Sequence, residues 1–580
     1  MIHYQKNDNS NLFNCFKKED LTNFETIQNY IPIYNNFFKL NSNNYNSINL
    51  NHKHSIVEIK SKETFQIFNC VIKKNNLEKC KVFFKFSPLL DPVKYLTGKY
   101  KDINTKSIPK FEDNDCDKKM LDVNNSAYID GFFSYLTSSL LHNNKFINAT
   151  DYYGSFLGIK KEFNYNIFDD LEYLYDSEYF NETKNDLYKV ENFDDSDYFC
   201  DSSLKNKKKL QINDSNIQLT IDTLDNEMFG DIFCDNNDTS NKKVDISSNI
   251  IFTNIKKKNS TNHTSSTCSS RCSNTSEEED DIPSEEEKEE DDIPSEEEEE
   301  EEEEDSEEDS IYSDDSEYSD CSSVNENLDC TIFDYPVQII CLEKLENTLD
   351  SLLEDEDIEI SNKEWSSILM QIIMTLITYQ KCFKFTHNDL HTNNVMYNKT
   401  DRKYICYRYN GKIYKVPTYG KIFKLIDFGR SIYKFKGIQI CSDSFHPKGD
   451  AATQYNFGPY YNEKKPKIEP NYSFDLCRLA CSLYDYFIQE DDIIEELGAI
   501  EKLIYSWILD DKGKNILYKK NGDERYPDFK LYKMITRLVH KHTPHKQLEN
   551  PLFKKFVTSK RKLNKKTKII DIDAFEDMSL

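Results

Sequence analysis

No two of the sixteen cysteines stand at C-x-x-C spacing, which removes thioredoxin-type redox pairs and the common paired-thiolate zinc sites. Cys268 and Cys272 sit in a Ser/Thr-rich stretch. His540, His542 and His545 lie close together, with no cysteine or acid at zinc-site spacing. The histidines read as surface residues, and neither group is expected to hold a metal. No run approaches the ~18 apolar residues of a membrane span, and the opening MIHYQKNDNS is too polar for a signal peptide. These absences lead us to expect an intracellular, soluble, reduced protein without a membrane partner, cytoplasm and nucleus not being distinguished. Glycine (14) and proline (15) are scarce while Asn, Lys, Ile and Tyr abound, the habit of an AT-rich genome.

Positive charge is also short: the net charge is −29. The imbalance is local. Residues 277–320 hold 29 Asp or Glu and one Lys, leaving −1 for all the rest. DDIPSEEE occurs there twice, from Asp280 and from Asp291. Self-repulsion and the lack of apolar residues predict a disordered, extended tract. Basic partners are one expectation for it, and phosphorylation of Ser284 and Ser295, which precede acids, is another.

What is present is a pair of motifs. The stretch Phe385–Asn398 reads FTHNDLHTNNVMYN, placing His387, Asp389 and Asn394 at H-x-D-L-x-x-x-N, and IDFG follows at Ile426–Gly429. Phosphoryl transfer needs a carboxylate to orient the attacking hydroxyl and oxygen ligands to hold Mg²⁺ on the phosphates. Asp389 suits the first task, Asn394 and Asp427 the second. Both blocks in this order resemble the eukaryotic-type protein kinase superfamily, and with the AT-rich habit the chain is similar to serine/threonine-protein kinases of large DNA viruses. The resemblance implies an α+β, bilobal protein-kinase-like fold, with a small β-rich lobe, a larger helical lobe and a long disordered acidic insert in the small lobe. It implies ATP and Mg²⁺ as cofactors and a protein substrate, with nucleic acid not expected. Asp389 would be the catalytic base, Asn394 and Asp427 the metal ligands.

Along the chain, residues 1–50 are an Asn-rich extension with no assigned structure. A small lobe is expected over 51–168. SIVEIK, TFQIFNCVIKK and KVFFKFS alternate as three strands, and Lys85 on the third stands where the family lysine meets the α- and β-phosphates. GSFLG at Gly154–Gly158, followed by Lys160 and Lys161, competes, but would push the next strand and helix into the acidic tract. Asn124–His142 reads as an amphipathic helix without Glu. Asp130 on it is either the partner of Lys85 or a solvated surface acid. Residues 146–163 supply a fourth strand, and 169–328 form the insert. Residues 329–345 are the fifth strand and hinge, where Glu343 and Leu345 would offer backbone groups to adenine. Residues 346–558 make the large lobe, opening on a capping box at Ser361–Glu364. The excess between the motifs, Asp401–Gly420, reads as a hairpin turning at Asn410–Gly411. Asp475 is expected to hold the catalytic-loop backbone. Residues 559–580 are a basic-then-acidic tail.

Several positions depart from the family. The turn Lys60–Glu63 has no glycine to let backbone amides approach phosphate. Asn388 replaces the arginine that grips a phosphorylated activation loop, so no gating by such phosphorylation is expected. His391 replaces the Ser/Thr-family lysine, as in haspin-like and small-molecule-phosphotransferase versions of the fold. A serine/threonine protein kinase is therefore the leading expectation. The alternatives are a pseudokinase scaffold recruiting partners through the acidic insert, or a small-molecule phosphotransferase.

Overall fold

Alternating β-branched and aromatic residues make the first half of the chain a sheet. In the computed structural model, which describes residues 4–6, 9–112, 115–190, 328–355, 357–489 and 493–580, six strands stand in the order Phe24–Gln28, Tyr152–Asn166, Asp329–Glu343, Leu77–Pro88, Ile67–Lys73 and Ser55–Lys62. All neighbours are antiparallel. A seventh strand, Tyr188–Val190, also pairs with Asp329–Glu343. The three strands expected from 55 to 87 are present, in a register that sets Lys85 opposite Ile340 and Val82 opposite Glu343. The acidic tract and the bulk of the expected insert, 191–327, lie outside the described residues.

Two stretches carry more structure than their composition suggests. Within 1–50, the helix Ser10–Phe16 sends Phe16 against Phe84 and Phe156, each with ring centroids 5.6 Å away. Phe24–Gln28 then becomes an edge strand. A few fully buried aromatics, worth about 1.5–3 kcal/mol each, outweigh the poor propensity of the surrounding asparagines. Beyond Asp169, helical turns at Leu171–Tyr175 and Glu178–Glu182 lead into Tyr188–Val190. Tyr188 is buried there, stacked on Phe180 at 4.4 Å.

The helix Ser126–Asn144 is capped by Asn125 and ends on Lys145 in the left-handed region. It is buried on nearly every side, so its environment is protein all round rather than half solvent. Phe133 reaches Phe385 (4.4 Å, stacked), Phe428 (4.8 Å) and Tyr379 (5.5 Å). The helix Asn362–Phe383 runs for about 33 Å at 1.5 Å per residue. Its Ser361 side chain accepts from the Glu364 amide as the capping box requires. It terminates at Lys384 (φ 54°) and delivers Phe385 directly into the motif loop.

The excess residues between the motifs do form a hairpin. Tyr404–Tyr409 and Lys412–Pro417 pair around Asn410–Gly411, whose φ values of 48° and 70° suit a type I′ turn. This pair joins Val557–Thr558 and Ile569–Asp571 in a separate sheet. Meanwhile Val395–Lys399 pairs with Lys421–Leu425, Val395 opposite Leu425, so the two motifs return to each other across the base of the insertion. Helices Phe474–Phe487, Ala499–Trp507 and Lys530–Leu538 follow. No helix among the described residues is long and apolar enough to cross a membrane.

Candidate active site

The loop His387–Asn394 is held from below and from the side. Asp475, fully buried at the start of its helix, accepts from the backbone N–H of His387 (3.0 Å) and of Asn388 (3.0 Å). Burial pushes its carboxyl up, and His387 draws it the other way. The His387 Nε2 meets the Ile426 carbonyl at 3.0 Å, and the Ile426 amide donates to the Asn394 carbonyl at 3.1 Å. Asn388 and Asp427 both adopt left-handed backbone, φ 64° and 62°, a conformation that non-glycine residues keep only where surrounding contacts impose it. The two motifs thus form one hydrogen-bonded unit.

Lys85 stands between two carboxylates, its Nζ 2.7 Å from Asp130 Oδ2 and 2.8 Å from Asp427 Oδ1. Asp130 is 3 % exposed, so the surface reading of that residue falls. Burial pushes it up, Lys85 pulls it down and Asp427 pushes it further up. Its other oxygen accepts from the Phe428 amide at 3.0 Å. One acid therefore ties helix, sheet and IDFG segment together. The next residue, Gly131, packs close to the sheet: a Cβ there would lie 2.1 Å from Gln338 Nε2, so a larger residue would displace the Gln338 side chain. An Asp-Gly pair inside a helix was the available signal for it.

Asp389 is half-buried, and its surroundings were not legible from the motif. Tyr532, on the helix Lys530–Leu538, donates its hydroxyl to Asp389 Oδ1 at 2.9 Å. Arg478 Nε in turn donates to that hydroxyl at 2.9 Å. The guanidinium groups of Arg478 and Arg430 lie over the Tyr532 ring, 5.1 and 5.8 Å from its centroid, and Arg430 is paired with Asp450. Burial would raise the Asp389 carboxyl, but Arg430, His391 and Arg478 outweigh it and hold it below the usual carboxylate value. His391 itself is lowered by burial, against the pull of Asp389. His391 stands where the family has lysine, and Arg430 and Arg478 bring further positive charge to Asp389 from elsewhere in the chain. Nothing in the spacing of Arg478 or Tyr532 announces this.

Asn394 donates from Nδ2 to the Asp389 carbonyl (2.8 Å) and meets His391 Nε2 at 3.1 Å. That leaves Oδ1 as the atom able to coordinate a hard cation. Glu343, expected with Leu345 beside adenine, is held by several partners. The Glu343 amide donates to the Asp151 carbonyl at 3.0 Å, and its carboxylate takes Lys424, Asn398 and the Asp151 amide. Leu345 is buried. The Glu343 N–H is therefore committed within the protein. The turn after Ser55–Lys62 closes on itself through Thr64 Oγ1, which accepts from Gln66 and Ile67 amides.

No family model matches the chain. Among curated proteins it is similar to the serine/threonine-protein kinase haspin of Mus musculus, 38% identical over 77 residues (13% of this chain, 10% of that protein). A Dictyostelium discoideum protein named as a serine/threonine-protein kinase is 33% identical over 116 residues (19% and 9%). One from Acanthamoeba polyphaga mimivirus, named likewise, is 39% identical over 74 residues (12% and 19%). The chain covers under a fifth of the length of each of these three relatives. Over that part, this chain resembles eukaryotic-type serine/threonine-protein kinases, viral ones included, and is protein-kinase-like.

Proposed function

We propose that this chain is an ATP-dependent serine/threonine protein kinase with a bilobal kinase fold. The observation that carries the reading is Lys85 bridging Asp130 and Asp427, on an IDFG segment hydrogen-bonded to the loop that bears Asp389 and Asn394. Bound Mg²⁺-ATP supplies the phosphoryl group and the positive charge that offsets its own. Asp427 and Asn394 fit the metal because they are oxygen donors, which Mg²⁺ prefers, and Lys85 fits the phosphates. Asp389, kept anionic by Arg430 and Arg478, takes the proton of the acceptor hydroxyl. The buried segment after IDFG, with Ile432, Cys441, Phe445, Ala451 and Tyr455 in one core, supports activity without activation-loop phosphorylation. Tyr455 donates to Asn388 Oδ1 at 2.6 Å, where an arginine would otherwise wait for phosphate.

A second reading, the scaffold, is favoured by one observation: the turn over the phosphate position has no glycine and is closed by Thr64. Purified protein incubated with Mg²⁺, γ-labelled ATP and generic basic and acidic protein substrates separates the two. Incorporation abolished by Asp389→Asn is expected. Thermal stabilisation by ATP without any incorporation would replace the kinase by the scaffold.

A further inference from the structure

Outside the motif loop, one cluster of side chains has the chemistry of a ligand set. His54 Nδ1 lies 2.5 Å from Asp151 Oδ2, and His142 Nε2 lies 2.8 Å from Asp151 Oδ1. The three donor atoms all fall within 4.8 Å of one another. The His54 and His142 rings meet edge to face at 4.4 Å. Side-chain exposure is 25 % for His54, 5 % for His142 and 9 % for Asp151, so the carboxylate is closed in and the cluster opens to solvent beside His54.

The cluster is braced from outside. His52 stacks on Tyr135 at 4.3 Å and holds the Tyr135 carbonyl at 2.7 Å, its ring 5.7 Å from that of His142. The Asp151 backbone is clamped on both sides, its N–H donating to Glu343 Oε1 at 2.9 Å and its carbonyl accepting from the Glu343 amide at 3.0 Å. Outer contacts of this kind fix the orientation of metal ligands. The three residues come from separate elements: the entry to Ser55–Lys62, the last turn of Ser126–Asn144 and the residue before Tyr152–Asn166.

We propose that His54, His142 and Asp151 form a structural metal site that takes Zn²⁺, with water in the fourth position. Two imidazoles and a carboxylate match borderline cations such as Zn²⁺ and not Mg²⁺ or Ca²⁺, which take oxygen. Tetrahedral bonds of about 2.0–2.2 Å place donors about 3.3–3.6 Å apart, so the two contacts of Asp151 with its histidines, 2.5 and 2.8 Å, would each open by about 0.5–1 Å as the ion replaces the hydrogen bonds. The nearly buried Asp151 carboxylate supplies a negative charge that a divalent cation offsets. The ion would pin the end of the helix that presents Asp130 to the sheet that presents Lys85. It would act on stability and rigidity, apart from any phosphotransfer.

The full chain, purified with any polyhistidine tag removed, is dialysed against Zn²⁺ with millimolar Mg²⁺ present to occupy weak acidic sites. Elemental analysis should then give one zinc per chain, and competition with a chromophoric chelator its affinity. Co²⁺ in its place should give the intense visible bands of a four-coordinate site. His54→Ala, the most exposed ligand and least disturbing change, and Asp151→Asn should each weaken Zn²⁺ by roughly 10²-fold or more. Zn²⁺ should raise the melting temperature of the parent chain and leave that of folded His54→Ala unchanged. Folded parent protein without stoichiometric zinc overturns the proposal. So does one equivalent of zinc retained at unchanged affinity in both variants, which would put the ion elsewhere.

Discussion

At the scale of single residues, the environment of Asp389 decides how the chain would respond to pH. Its carboxyl is depressed by Arg430, His391 and Arg478 against the raising effect of burial, so the anionic form persists below the ordinary carboxylate range. In the proposed role of base, Asp389 works when deprotonated. Activity should therefore survive mild acid and fall only as pH drops through the lowered value. Arg430→Ala removes the largest of these cationic influences and lets the value rise, so the acid limb of the kcat/KM profile should move to higher pH. A uniform loss with an unmoved limb would make Arg430 merely a partner of Asp450. The pair of Lys85 with Asp130 belongs to the same scale. There the shorter acid reaches Lys85 at 2.7 Å, beside a glycine whose Cβ would meet Gln338 Nε2.

At the scale of elements, the tail from Ile569 shows how much can depend on a short segment. Ile569–Asp571 pairs in parallel with the inserted hairpin, and Ile572 and Phe575 are buried. Lys381 Nζ donates to the carbonyls of Ile572 and Asp573, the Met578 amide to Cys382, and the Lys436 and Gly437 amides to Met578 and Ser579. Two buried apolar side chains alone are worth about 3–6 kcal/mol before ordering costs. Deleting 569–580 should lower the melting temperature by at least about 5 °C, measurable by calorimetry; an unchanged melting temperature would show the tail to be an ornament. Sequence reading found the strands from Ser55, the capped helix after Ser361, the Asn410–Gly411 hairpin and the role of Asp475, because each rests on local periodicity or turn chemistry. It assigned nothing to Phe24–Gln28 or to the docking of 569–580, and it placed 169–190 in the insert, where helical turns and a paired strand stand. Those segments are ordered by distant partners, and a pattern within ten residues does not carry that information. Arg478 and Tyr532 escaped for the same reason: only the meeting of two helices brings them to Asp389.

At the scale of the whole molecule, charge is divided unevenly between the tract 277–320 and a near-neutral remainder. If the tract gathers basic substrates, its deletion should raise KM for a basic peptide several-fold at about 20 mM salt. The difference should vanish near 0.5 M, where screening acts within a few ångströms. An unchanged KM at low salt would remove that role. Lys384 pairs with Asp577 at 2.6 Å, and the residues just before the FTHNDL loop are thus braced by a segment 193 positions further along. On the ribosome, translation reaches positions 569–579 after every segment they support has already emerged. A nascent chain stalled between the IDFG block and Ile569 would carry both motifs yet lack the contacts that Ile572, Asp573, Asp577, Met578 and Ser579 make to the segments around them.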